Sequence, residues 1–249
     1  MNKIKVIVID DERSSREELK RTIKKYTDFE VTGEAKNADE AKELIESQHP
    51  DLIFLDIQMP EKSGFDLLES LEEVPEVIFT TAFNQYAVQA FEINALDYLM
   101  KPIREERFTR AVEKIRERIN KKTTVRNPII ADRQIFIKDG EKCHFVWLSK
   151  IYLIESMNNY SRLYFEDKKA YLKRSLNQWE KILDPTFFFR ISRTQIINTH
   201  HIRQVLPISK GKLQISLKTG ELLDVSTRQS VKFKNLMQFY KHRNNEQNI

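Results

Sequence analysis

Leu52-Ile53-Phe54-Leu55-Asp56-Ile57-Gln58-Met59-Pro60 is the stretch that decides the fold of the first half. An unbroken apolar run ends on a carboxylate, and a proline soon forbids its continuation. With no polar residue alternating through it, the run predicts a strand buried on both faces, as in a parallel sheet covered by helices. Outward in both directions the pattern recurs. Ile4–Ile9 runs into Asp10-Asp11, Val77–Thr81 ends on hydroxyls, Leu96–Leu99 is followed by Lys101-Pro102, and a weaker run lies around Val31–Gly33. Helical signals fall between these runs. Asn37-Ala38-Asp39-Glu40 reads as a capping box whose helix ends at His49-Pro50, and Ser63-Gly64-Phe65-Asp66 starts another. Phe108, Val112, Ile115 and Ile119 recur at helical spacing over residues 103–119.

What stands at the strand ends carries the chemistry. In open α/β sheets, ligands gather at the carboxyl ends of the strands. There the sequence puts Asp10, Asp11 and Asp56, carboxylates that repel one another unless a cation binds. Oxygen donors without His or Cys suit Mg²⁺ or Mn²⁺. Lys101 and a threonine are placed to meet the oxygens of a phosphoryl group. A haloacid-dehalogenase-like phosphatase would need Asp-x-Asp at the nucleophile, whereas Asp56 is followed by Ile57-Gln58.

The 249 residues suit two ordinary domains, and the charge divides the same way. Residues 1–120 hold 18 Lys+Arg and 26 Asp+Glu, a net of −8, and the remainder hold 24 and 11, a net of +13. A basic half of this kind faces an anionic partner or is simply well solvated. One cysteine, Cys143, excludes a disulfide framework and a Cys-rich zinc site. Cys143 is expected to be a buried small hydrophobe. His200-His201 are not expected to form a metal pair, because neighbours on a strand point to opposite faces. No apolar run approaches a membrane span and no signal peptide is seen at the start, so a cytoplasmic protein is expected. The polar run Asn120–Pro128, closed by a breaker, places a linker at 121–133 between domains at 1–120 and 134–243.

Taken with their order and spacing, Asp10-Asp11, Asp56, Thr81-Ala82 and Tyr98-Leu99-Met100-Lys101-Pro102 make the first half resemble the receiver domain of bacterial response regulators. The resemblance implies an α/β receiver: a five-stranded parallel sheet in the flavodoxin-like order 2-1-3-4-5, with helices on both faces. It implies that Asp56 is the phosphoacceptor, taking its phosphoryl group from a sensor histidine kinase. Asp11, Asp56 and the main-chain carbonyl of Gln58 would bind Mg²⁺, Asp10 acting mainly through water. Lys101 and Thr81 would hold phosphoryl oxygens, Thr80 being the alternative for the hydroxyl. Thr81 and Tyr98 would act as the switch, and Lys101-Pro102 would be a cis peptide.

The second half is β-rich. Runs at Gln134–Lys138, Lys142–Trp147, Ile151–Glu155, Ser161–Phe165, Lys169–Leu172, Gln195–Ile197, Arg203–Ile208, Lys212–Leu217 and Glu221–Val225 are separated by turns such as Asp139-Gly140 and Thr219-Gly220. Helices fit Leu176–Leu183 and Arg228–His242. Ile151 through Tyr160, Phe188 through Asn198, Lys210-Gly211-Lys212-Leu213 and Val225-Ser226-Thr227-Arg228 together resemble the LytTR DNA-binding domain, mostly β. That resemblance makes Asn159, Ser161, Arg193 and Arg228 candidates for base contacts, since Arg pairs bidentately with guanine. Lys173, Arg174, Lys210 and Lys212 become phosphate contacts. Arg190 is open between a structural ion pair and a DNA contact.

The expected function is that of a phosphorylation-dependent transcriptional response regulator of a two-component system, not an enzyme. Phosphorylation would favour a homodimer through the fourth helix, the last strand and the last helix, and the pair would bind double-stranded DNA at imperfect direct repeats. The alternative is a receiver-controlled RNA-binding antiterminator or a protein-interaction module.

Overall fold

The computed structural model describes residues 3–82, 95–124, 133–140, 142–208 and 211–246, and the chain divides into two compact units, 1–148 and 149–249. In the first unit the elements are β1 (Ile4–Ile9), α1 (Arg13–Ile23), β2 (Phe29–Ala35), α2 (Ala38–Gln48), β3 (Leu52–Asp56), α3 (Gly64–Ser70), β4 (Glu76–Thr81), β5 (Asp97–Met100), α4 (Glu105–Thr124), β6 (Gln134–Asp139) and β7 (Lys142–Trp147). β1 to β5 form a parallel sheet in the order β2-β1-β3-β4-β5. The helix expected between β4 and β5 would fall on residues 83–94, outside those described.

Strand alternation sorts the sheet's side chains into two cores. Ile7, Ile9, Ile53, Leu55, Val77 and Phe79 pack with α2 and α3, through Ala41, Ile45, Phe65 and Leu68. Val6, Val8, Leu52, Phe54, Ile78 and Leu99 pack with α1 and α4, through Leu19, Ile23, Phe108, Val112 and Ile115. Both faces are dry, which is why the strands carry no polar alternation. The capping box expected at α3 is present, formed by Ser63 and Asp66. The one expected at α2 forms only in its Asn37 half: the Asn37 side chain accepts from Glu40 N, but the Glu40 carboxylate accepts from Lys36 N instead.

The hairpin β6–β7, expected to open the second domain, packs within the first unit. Phe136 stacks on Phe65 with ring centroids 6.0 Å apart and planes 4° apart. Phe145 lies 6.4 Å from Phe79 and 5.1 Å from Phe136. Around this aromatic cluster, Val74 N donates to Gln134 O at 3.0 Å and Lys138 Nζ to Asp66 Oδ1 at 2.9 Å. The Arg118 guanidinium sits 4.8 Å over the Trp147 ring. The hairpin stays here because α3 and β4 offer aromatic surface that Phe136 and Phe145 cover. Cys143 is half-buried and packs against the same cluster.

Asp66 joins the α3 cap to the hairpin. Its bonds from Ser63, and then that from Lys138, hold its carboxyl below the usual carboxylate range despite partial burial. A carboxylate depressed on folding adds stability above its unfolded value, and that stability is lost as pH falls through the folded value. Below about pH 4 the hairpin's hold on α3 is therefore expected to loosen. Hydrogen exchange of the Val74 amide, corrected for its intrinsic rate, should show protection falling there. Protection that is flat with pH would remove Asp66 from the clamp.

The second unit contains β8 (Ile151–Met157), β9 (Tyr160–Phe165), β10 (Lys168–Leu172), α5 (Leu176–Ile182), β11 (Phe188–Arg190), β12 (Gln195–Asn198), β13 (Ile202–Pro207), β14 (Leu213–Leu217), β15 (Leu222–Val225) and α6 (Thr227–Glu246). Its strands make two sheets, β10-β9-β8-β12-β11 and β13-β14-β15, with every pairing antiparallel. Tyr152, Leu153, Ile197, Ile215, Leu217, Val225 and Phe233 form a core that draws on both sheets and α6. Among the three consecutive phenylalanines, Phe188 is buried on β11 and Phe189 lies edge-on to Phe233, so the run serves packing. Among the described residues, the small strand β11 is the one strand of this unit that the sequence pattern did not announce.

Candidate functional site

β1 and β3 end side by side, so their terminal carboxylates meet. Asp10 is fully buried, Asp56 nearly so, and Asp11 is exposed. One carboxylate oxygen from each lies within 4.8 Å of the others. Lys101, delivered by the end of β5, puts its Nζ 2.7 Å from Asp10 Oδ2 and 2.6 Å from Asp56 Oδ2. The Lys101-Pro102 peptide is cis, as the resemblance implied.

Burial pushes the Asp10 carboxyl up from its ordinary value, with the Asp56 charge adding to this and Lys101 partly opposing it. For Lys101, burial lowers the ammonium's pKa, but the bonds to Asp10 and Asp56 outweigh it and the net shift is upward. The lysine therefore stays charged and neutralises a pair of carboxylates that would otherwise repel. Backbone amides complete the cradle: Glu12 N donates to Asp10 Oδ1 at 3.0 Å, and Gln58 N to Asp56 Oδ1 at 3.1 Å. The donor set is all oxygen, which fits a hard divalent cation such as Mg²⁺ or Mn²⁺.

Both threonines are fully buried, and strand pairing puts Thr80 opposite Asp56. Thr81 O accepts from Lys101 N at 2.9 Å. Tyr98 is buried at the edge of the α2–α3 core, its carbonyl held by Arg107 at 2.9 Å. Sequence reasoning missed two supports. Arg16 Nη1 on α1 holds the carbonyls of Asp10 and Asp11 at 2.8 and 3.2 Å. Gly64 starts α3 so close to the end of β3 that a Cβ there would sit 2.5 Å from the backbone oxygen of Asp56. Only the glycine could have been suspected beforehand, from its place in Ser63-Gly64.

In the second unit, strand register gathers a further group of polar and basic residues. β8 and β9 turn at Asn158-Asn159, and Leu172 at the end of β10 pairs with Ser161, so Lys173 and Arg174 emerge beside that turn. Gln195 pairs with Glu155, and Ser156 N donates to Thr194 O at 2.8 Å, which brings the Ser192–Thr194 loop to the same end. Ser226 N donates to Ile191 O at 3.0 Å, bringing the start of α6 with it. Leu213 pairs with Val225, which adds Lys212. Asn159, Lys173, Arg193, Lys212 and Arg228 are all exposed here. Arg174 lies with its guanidinium 4.8 Å over the Trp179 ring. Lys210 lies outside the described residues.

Ser161 does not lie on this surface. Expected among the base contacts, it is fully buried, and its hydroxyl accepts the Trp179 indole N–H at 2.7 Å. Strand alternation turns it inward with Leu163 and Phe165, so it fastens α5 to the sheet. His200 and His201 lie together on a short 3-10 turn after β12, where His201 bonds the carbonyl of Ser149 at 3.0 Å. Burial lowers the His200 pKa.

Residues 6–113 match the family model of the response regulator receiver domain, and residues 141–238 that of the LytTr DNA-binding domain. The transcriptional regulatory protein LytR of Staphylococcus aureus is 34% identical over 231 residues, covering 89% of this chain and 94% of that protein. The sensory transduction protein LytT of Enterococcus faecalis is 33% identical over 237 residues, covering 92% and 97%. LytT of Bacillus subtilis is 29% identical over 239 residues, covering 94% and 99%. Among the described residues no helix is long and apolar enough to cross a membrane. With an acidic pocket at the ends of β1 and β3 and a basic end on its second unit, this chain belongs to the LytR/LytT family of response regulators, two-component transcriptional regulators that join a receiver domain to a LytTr DNA-binding domain.

Proposed function

We propose that Asp56 accepts a phosphoryl group from a phosphohistidine on a sensor histidine kinase in the cytoplasm, and that the phosphorylated chain pairs with a second copy to bind double-stranded DNA at imperfect direct repeats. The observation that carries the receiver half is Lys101 bridging Asp10 and Asp56 at 2.7 and 2.6 Å. An Asp56 oxygen attacks phosphorus, the bond from phosphorus to the imidazole nitrogen breaks, and the electron pair stays on that nitrogen. Asp11, Asp56 and the Gln58 carbonyl would hold Mg²⁺, with Asp10 acting through water, and the ion would supply charge neutralisation on the transferring group. Lys101 then turns from its carboxylate partners to a phosphoryl oxygen, and Thr81 takes another. Movement of Thr81 and Tyr98 relays the new charge to the face that pairs.

For the output half, the supporting observation is the register that gathers Asn159, Lys173, Arg193, Lys212 and Arg228 at one end of the second unit. Arg193 and Arg228 read bases and the lysines hold phosphates. The full chain, incubated with an acyl phosphate and Mg²⁺, is expected to enrich a recurring half-site from random duplex DNA at about 0.15 M salt. Arg193→Ala and Arg228→Ala should each cost about 1–3 kcal/mol on that site. Enrichment of single-stranded RNA over duplex DNA, or of neither, would overturn this reading.

A further inference from the structure

We propose that Arg190 is a positioning residue for DNA reading: it holds the Ser192–Thr194 loop in the shape that presents Arg193, and does not itself touch DNA. The inference deepens the reading above and rests on Arg193 as a base contact. Arg190 ends β11, where it pairs with Ile196. Its guanidinium is shared between a helix and a loop. Nη1 donates to Asn177 Oδ1 at 2.7 Å and to Glu180 Oε2 at 2.6 Å, both on α5. Nε donates to Ser192 O at 3.1 Å and Nη2 to Arg193 O at 3.0 Å.

A guanidinium carries five N–H donors in a fixed fork. Four bonds leave a single donor for anything else, and the side chain is only 20% exposed. Bidentate phosphate or guanine recognition needs two free, parallel donors. Arg190 is therefore spent on the protein, whereas Arg193, three residues on, is exposed.

The loop has no apolar anchor of its own. Ser192, Arg193 and Thr194 are polar, and their shape rests on hydrogen bonds: those from Arg190, Thr194 N to Ser192 Oγ at 3.2 Å, and Ser156 N to Thr194 O at 2.8 Å. Without Arg190, water satisfies the two carbonyls, so the fold survives. What disappears is the single loop shape, and binding must then order the loop at an entropic cost.

The test uses the full chain after acyl phosphate treatment, with the enriched duplex and a random duplex pool as probes. Arg190→Ala should lose about tenfold in preference for the enriched duplex over the pool, with thermal midpoint little changed. The slope of log affinity against log salt should match the unsubstituted chain, because no phosphate contact is removed. Arg193→Ala should cost less in the Arg190→Ala background than alone. Arg190→Lys, which keeps the charge but cannot reach four acceptors, should behave like Arg190→Ala. A shallower salt slope, or restoration by lysine, would make Arg190 a phosphate contact and overturn the proposal; so would unchanged preference. Asn177→Ala, an exposed change on α5, should reproduce part of the loss if Arg190→Ala does not fold. Without DNA, exchange of the Ser156 amide should quicken in Arg190→Ala. That readout stands even if Arg193→Ala leaves DNA binding untouched, in which case the base-contact reading fails and the positional one is judged alone.

Discussion

Asp56→Asn is expected to gain no phosphoryl mass from an acyl phosphate and Mg²⁺, while the unsubstituted chain gains one group. The carboxamide is nearly isosteric, so the Gln58 N–H keeps an oxygen to bond where it now meets Asp56 Oδ1. Lys101 keeps its partner in Asp10 at 2.7 Å. What is lost is the proposed anionic nucleophile, along with one of the charges that would recruit the cation. The loss should therefore be essentially complete without unfolding. Donor-dependent gain in DNA affinity should vanish with it. Phosphate retained by a folded Asp56→Asn chain would move the acceptor to another residue.

Phe136→Ala should give the largest loss of stability, about 3–5 kcal/mol. Phe136 is buried against Phe65 and Phe145 and lies in the α2–α3 core with Phe79. Truncation leaves a ring-sized void between elements that the sheet holds apart, so collapse is limited. Against a typical total of about 5–15 kcal/mol that is a large share. The two tryptophans separate the units: Trp147 ends β7 in the first, and Trp179 is buried in the second. With one tryptophan kept at a time, the Trp147 denaturation midpoint should fall and the Trp179 midpoint should hold. A shift seen only by Trp179 would place the hairpin with the second unit instead.

The strand ends were legible because each is a local event: an apolar run, then a carboxylate or a lysine. Their convergence followed from the rule that parallel strands present their carboxyl ends together, and Asp10, Asp56 and Lys101 do meet. Arg16 was not legible, since an arginine reaching two carbonyls exists only once α1 is in place; Gly64 stood out in Ser63-Gly64, but the backbone oxygen that requires it exists only once α3 is in place. Ser161 was misassigned although the signal was present. Tyr160-Ser161-Arg162-Leu163-Tyr164-Phe165 alternates, and its period puts Ser161 inside with Leu163 and Phe165. The hairpin shows a different limit. Phe136 and Phe145 advertise an apolar face, but no periodicity says which core receives it.

That hairpin constrains how such proteins are recombined. Fusing this receiver to a foreign output domain at the end of α4 discards Phe136 and Phe145 and leaves Phe65 and Phe79 facing water, so the chimera should be sticky and soft. A junction after Leu148 carries the hairpin along as part of the donor. The unit of exchange is then longer than the parallel sheet and its helices by one β-hairpin, and a gene fusion that respects it inherits a finished surface.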